Sequence, residues 1–145
     1  MIRLISIKEL DILKNDPVRP HLEKTSVGKQ VYVLDDLSAV ICVCYCTQVP
    51  TNEEELELYK SDTGSVLVAY TVWSNKSGAG RTIVNELLDL VKTKKQIKQL
   101  VTLSPLTEMA TKFHIRNGAT LLSKSDTCQN FEYKIEYPDI VGVPV

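Results

Sequence analysis

Apolar and polar positions alternate through the first half of the chain and then shift to helical spacing. Gln30-Val31-Tyr32-Val33-Leu34 predicts a strand over 29–34, with Asp35-Asp36 as the following turn. Residues 38–49 are rich in Val, Ile, Cys and Tyr and are closed by Pro50, which predicts a second strand. Residues 65–73 predict a third. Beyond residue 81, Ile83, Leu87, Leu90 and Val91 form one apolar stripe of a helix. Residues 99–103 predict a strand ended by Ser104-Pro105, and residues 107–116 a helix stopped by Asn117-Gly118. Residues 120–123 and 130–137 predict two last strands. Near the start, Ile7, Leu10 and Leu13 recur every third residue, and Ser6 with Glu9 has capping-box spacing, so a short helix over 6–14 is expected. Asn15-Asp16-Pro17 ends it, and a turn-rich stretch carrying Arg19-Pro20-His21-Leu22 follows. Thr51 and Glu54 share the same capping spacing and open a short acidic helix reaching about Tyr59. Strands come first and a strand–helix–strand crossover later. That order predicts a mixed α/β fold with a mostly antiparallel sheet, not a doubly wound one.

Composition narrows the class. The chain has 145 residues, 43% hydrophobic and 24% charged, which suits one globular domain over 1–145. Lys plus Arg is 17 and Asp plus Glu is 18, a net charge of −1 that argues against nucleic-acid binding by phosphate neutralisation. No apolar run approaches the ~20 residues that span a bilayer. Arg3, Lys8, Glu9 and Asp11 interrupt the start, so a signal peptide is not expected and a cytoplasmic location is. Oligomeric state is left open. Cys42, Cys44 and Cys46 alternate and would share one strand face as buried free thiols, with Cys128 alone. No Cys-x-x-Cys pair exists and the two histidines stand far apart, so no metal site is expected.

The most informative segment is Ser74-Asn75-Lys76-Ser77-Gly78-Ala79-Gly80-Arg81, between a predicted strand and a predicted helix. Backbone N–H groups of such a loop, added to the helix dipole, suit a phosphate. The bland reading is a glycine turn that lets strand and helix pack. No Gly-Lys-Ser/Thr follows, so it is not a Walker loop, and Ile83 stands where a dinucleotide fingerprint needs its third glycine. No Gly-x-Ser-x-Gly occurs, which excludes the nucleophile elbow. Glu53, Glu54, Glu55 and Glu57 form the one carboxylate cluster, read either as a solvated face or as an attraction for a cationic substrate.

The loop resembles the coenzyme-A loop of the GNAT superfamily of N-acetyltransferases. The resemblance implies that the backbone of Ser77, Gly78, Ala79, Gly80 and Arg81 binds the coenzyme-A pyrophosphate. Asn75 stands where the family usually keeps Gln or Arg, and Lys76 and Arg81 supply cations. The strand before the loop would carry the family's bulge, with Thr71, Val72 and Trp73 holding the pantetheine arm and polarising the thioester. Ala110-Thr111-Lys112-Phe113-His114-Ile115-Arg116-Asn117-Gly118-Ala119 is similar to the family's helix end, in which a Tyr four residues before the Gly serves as general acid. Here that place holds His114, which would protonate the departing thiolate; taken alone, it is an ordinary partly buried histidine. Thr107 stands where the family keeps Asn. No carboxylate lies on 66–73, so Ser104 or a water relay would act as base. The resemblance implies a GNAT fold splayed between strands near 66–73 and 99–103. It also implies acetyl-coenzyme A in the splay and acetyl transfer to an amine of a small molecule or protein.

A narrower resemblance joins Leu103-Ser104-Pro105, the Phe113–Ala119 run and Asn130-Phe131-Glu132-Tyr133. These pieces are similar to the GNAT-like domain of malonyl-CoA decarboxylases, whose catalytic His would correspond to His114 and whose Ser before the loop to Ser74. Carbon–carbon lyase chemistry on malonyl-coenzyme A therefore stands as an alternative, as does a non-catalytic coenzyme-A- or protein-binding module.

Overall fold

Strands with apolar residues on both faces need cover on both sides, and the architecture supplies it. A computed structural model describes residues 1–136. Strands β1 (Ile2–Leu4), β2 (Lys29–Leu34), β3 (Ala39–Cys46) and β4 (Val66–Ser74) form an antiparallel meander. β4 then pairs in parallel with β5 (Gln99–Thr102). β8 (Cys128–Tyr133) runs antiparallel to β5, to the two-residue β6 (Ser104–Pro105) and to β7 (Thr120–Lys124). Helix α2 (Ala79–Val91) makes the crossover between β4 and β5, α3 (Glu108–Arg116) follows β6, and α1 (Glu53–Tyr59) lies between β3 and β4. No helix among the described residues is long and apolar enough to cross a membrane.

Two cores flank the sheet. On one side Ile83, Leu87 and Val91 of α2 pack with Ile41, Val43 and Phe131. On the other, Cys42, Cys44 and Cys46 pack with Val33, Leu56, Tyr70 and Leu103. All four cysteines are buried and unpaired, and the three of β3 share one face as their alternation requires.

Several local expectations shift. The first helix is a 3-10 segment, Ile7–Asn15, not an α-helix. Its apolar residues recur every three positions, the period of that tighter turn, and none of its residues is fully buried. The Ser6–Glu9 capping contact does form, with Ser6 N–H donating to Glu9 Oε1 at 3.0 Å. The cap of α1 is Asn52, whose side chain accepts from Glu55 N–H at 2.8 Å. Thr51 instead binds the Glu55 carboxylate at 2.6 Å, so the expected Thr51–Glu54 pairing is replaced one residue on. β3 ends at Cys46 rather than near 49, and Leu103 leaves the ladder between β5 and β6. The expected final strand reaches only Tyr133 among the described residues, and Tyr137 lies outside them.

Candidate functional site

The β4–β5 ladder stops at Ala69 and Thr102, with one last bond from Leu103 N–H to Ala69 O at 2.9 Å. β4 also carries one extra residue there: Cys42 pairs Thr71 and Val43 pairs Ala69, leaving Tyr70 unmatched against β3. A bulge that twists the strand at the place where a parallel neighbour ends makes the two strands diverge. A cavity of about 360 Å³ opens in this V. Its walls include Tyr70 to Ser74 of β4, Thr102 to Pro105, Gly80 of α2, and Phe113 and His114 of α3.

His114 reaches the cavity from α3, which Thr107 caps through Ala110 N–H at 3.2 Å and Gly118, at φ +95, terminates. The imidazole is 6% exposed, T-stacked on Phe113 and stacked on Phe131. Its Nδ1 lies 2.8 Å from the Tyr133 hydroxyl. Burial among these rings lowers its pKa to about 4, because the charged form loses solvation and no carboxylate compensates. At neutral pH the ring is therefore uncharged. Burial likewise raises the Tyr133 pKa, so the phenol keeps its proton. With Nδ1 engaged by Tyr133, Nε2 is the nitrogen left for a ligand.

Ser104 also lines the cavity, yet its hydroxyl donates to Thr102 Oγ1 at 2.8 Å. Thr102 Oγ1 accepts Phe131 N–H at 3.0 Å as well. Both bonds converge on one oxygen, so the Thr102 hydroxyl hydrogen is the one free to donate elsewhere. Ser104 thus supports Thr102, and its hydroxyl hydrogen is committed to that bond.

Thr71, Val72 and Trp73 line the cavity with Ser74. The Thr71 hydroxyl faces away from a ligand, donating to Asp16 Oδ1 at 2.9 Å, so only the backbone of that residue is available. In the loop, Asn75, Lys76, Ser77 and Arg81 are exposed, while Ala79 and Gly80 are buried. Gly78 holds φ +82, and no side chain caps α2. Two loop amides are committed internally: Asn75 N–H to Ser38 O at 2.9 Å, and Ala79 N–H to Lys76 O at 3.1 Å. An anion at this terminus would rely on the other amides and on the dipole of a 13-residue helix. Gly80 also lets α2 approach α3: a Cβ there would sit 3.3 Å from Phe113 Cε1.

The opposite face of the V is covered by residues 16–24, which the sequence presented only as turn-rich. Pro17 and Val18 form part of the cavity wall. Arg19, 3% exposed, donates through Nη1 to Tyr70 O and, at 2.6 Å, to Leu103 O, joining the two diverging strands. Its Nε binds Glu53 Oε2 at 2.8 Å, and the other Glu53 oxygen lies 2.7 Å from His21 Nε2. Asp16 accepts Val18 N–H and Arg19 N–H at 2.8 and 3.0 Å and pairs with the buried Lys24 at 3.1 Å. The acidic stretch is thus largely committed within the protein. Glu53 serves Arg19, Glu57 serves buried Lys29 and Lys60, and Glu55 serves Thr51. Their carboxyl pKa values fall below the usual range through these bonds, against the opposing pull of partial burial for Glu53 and Glu57.

No protein-family model and no curated protein matches the chain. Solved structures do. The chain is similar to the GphF GNAT-like decarboxylase in complex with isobutyryl-CoA, at 12% identity and a TM-score of 0.71, over 94% of this chain and 100% of that one. The loading GNATL domain of CurA from Lyngbya majuscula aligns at 12% identity and a TM-score of 0.68, over 93% and 97%. The chain has the GNAT fold. The aminoglycoside acetyltransferase AAC(6')-Ib in complex with coenzyme A shares it at 14% identity and a TM-score of 0.63, over 91% and 92%. The GNAT fold expected from the loop and helix-end motifs, with its sheet splayed between β4 and β5, is therefore present. Tyr133, Thr102, Asp16 and Arg19 join the site without having been assigned a role from sequence. Tyr133 alone had a signal, lying in the Asn-Phe-Glu-Tyr run.

Proposed function

We propose that the chain binds an acyl-coenzyme A, with the pantetheine arm in the β4–β5 splay and the pyrophosphate at the start of α2, and releases CO₂ from a malonyl-type acyl group. The observation that carries this reading is the chemistry of the cavity. Its lining is mostly apolar, holds no Asp or Glu, and presents the neutral His114 backed by Tyr133. Acetyl transfer to an ammonium substrate calls for a base; no carboxylate lines this space, and the imidazole that does is held a weak base by burial. A carboxylate leaving as CO₂ needs no base, and an apolar surround destabilises the charged ground state. Breaking the bond between the carboxylate carbon and the α-carbon leaves its electron pair on the thioester enolate. Amides of Thr71 to Trp73 and the Thr102 hydroxyl would stabilise the enolate oxygen. With Tyr133 donating to Nδ1, the Nε2–H of His114 would protonate the α-carbon as Nδ1 takes the phenol proton, and solvent would restore Tyr133. The enolate is the stronger base, so the transfer runs downhill. The fold and the coenzyme-A complexes of the similar structures support the donor assignment.

Acetyl transfer to an amine is the second reading, favoured by the His21–Glu53 pair on the outer side of Arg19. One experiment separates them. The purified protein is incubated with malonyl-coenzyme A, then with acetyl-coenzyme A and a broad amine panel, and the products are identified by mass spectrometry. Release of CO₂ with formation of acetyl-coenzyme A is the expected result. N-acetylated amine without CO₂ release supports the second reading, and coenzyme-A binding with neither product supports a binding module.

A further inference from the structure

We propose that residues 16–24 are a fixed wall on the acceptor side of the cavity, with Arg19 as the residue that sets its position, and that this wall restricts the site to chemistry on the acyl thioester alone. The inference rests on the reading of the splay as an acyl-coenzyme A site. The cavity passes through the sheet. His114, Phe113 and Tyr133 stand on the side of α2 and α3, whereas Tyr70 and Leu103 belong to the opposite core. A second substrate attacking the thioester from the face opposite His114 would have to enter where Pro17 and Val18 lie. Those residues are held by a dense set of buried charges. Asp16 receives two strap amides, the Thr71 hydroxyl and Lys24. Lys24 in turn donates to Arg19 O and Leu22 O, both at 2.9 Å. Arg19 closes the set by bonding one carbonyl on each diverging strand, taking the place of the ladder bonds that the splay removes.

Burying a carboxylate, a guanidinium and an ammonium carries a desolvation cost that an apolar cover would avoid, so stability alone does not account for this choice. A guanidinium does what an apolar cover cannot. One nitrogen, Nη1, bonds both carbonyls at the mouth of the V and so sets the distance between them, while Nε is held by Glu53. Asp16 ties the strap to Thr71, whose backbone lies along the reacting end. The wall and the enolate-binding amides are therefore set by the same contacts.

The test uses the full chain, acetyl-coenzyme A as donor and hydroxylamine as a small nucleophile that is neutral at pH 7. Variants are Val18→Gly, which removes wall and leaves the ties, Arg19→Gln, and the conservative Arg19→Lys. Thiol release, coenzyme-A affinity and melting temperature are measured for each. Val18→Gly should raise the hydroxylamine-dependent kcat/KM about tenfold or more, the scale on which a few pocket atoms discriminate substrates, at unchanged coenzyme-A affinity, and Arg19→Gln should raise it as well. Arg19→Lys keeps the charge but cannot bond both carbonyls and Glu53 at once, so it should fall between the parent and Arg19→Gln. A strap with only a structural role would lower melting temperature and leave that nucleophile selectivity unmoved. If Arg19→Gln does not fold, Val18→Gly decides. Folded variants with parental hydroxylamine rates overturn the wall, as does a parent that already transfers to hydroxylamine efficiently. A parent that does not bind coenzyme A overturns the reading of the site itself, and the wall with it.

Discussion

His114 Nδ1 lies 2.8 Å from the Tyr133 hydroxyl, and both groups are buried against the edge of the β4–β5 splay. The pair is brought together by α3 and β8, so its geometry reports the docking of that helix. His114→Gln should lower kcat by ~10²–10⁴-fold with little change in KM, since the proton moves only in the transition state. Tyr133→Phe should lower kcat less, because the ring packing survives and only the Nδ1 partner is lost. Unchanged kcat in a folded His114→Gln protein would exclude the imidazole from the chemistry.

The pH dependence follows from burial. With its pKa held to about 4, His114 is neutral throughout the physiological range. The rate should be flat from pH 6 to 8, with any change due to His114 confined to the region near pH 4. A profile with a limb near 6.5, the ordinary value for histidine, would contradict this.

The same group contributes to acid lability. In the unfolded chain His114 titrates near 6.5, and in the folded protein near 4, so between these values the unfolded state binds more protons. Stability contributed by the neutral imidazole is therefore full above pH 6.5 and is lost as pH falls toward 4, by ~3 kcal/mol in total. Denaturant titrations at successive pH values should show a shallower loss over this window in His114→Gln.

Glu53 and Glu54 are adjacent in sequence and differ in role. Glu53→Gln weakens the counter-ion of buried Arg19 and should destabilise by about 1–3 kcal/mol. Glu54 is exposed, and its substitution by Gln should be neutral in the same unfolding measurement. Equal effects would show that the Arg19–Glu53 bond contributes nothing.

Two glycines should fail for different reasons. A Cβ on Gly64 would stand 2.3 Å from Cys46 O, so Gly64→Ala forces the β3–β4 connection apart and should cost roughly 1–3 kcal/mol or more. At Gly80 the neighbour is the Phe113 ring, and the residue lines the cavity. Gly80→Val should displace Phe113 and reduce coenzyme-A affinity, read by calorimetric titration; unchanged affinity would remove the start of α2 from the ligand site.

Local physics was legible in the chain itself. Alternation in Gln30–Leu34 gave β2 its limits, the Ile83–Val91 stripe gave α2 its buried face, and Asn117-Gly118 stopped α3 where the left-handed Gly118 stands. These depend on residues within one or two turns of each other, which spacing encodes directly. The glycine loop and the histidine four places before Gly118 marked the fold for the same reason. Tertiary structure alone decided the rest. Arg19 meets Tyr70 and Leu103 across 51 and 84 positions, and Asp16 meets Thr71 across 55. No periodicity announces such pairs, because a side chain's charge finds its partner only after the strands have packed. His114 shows the same division: its place came from a local motif, but its protonation state came from the rings of Phe113, Phe131 and Tyr133 closing around it and excluding water.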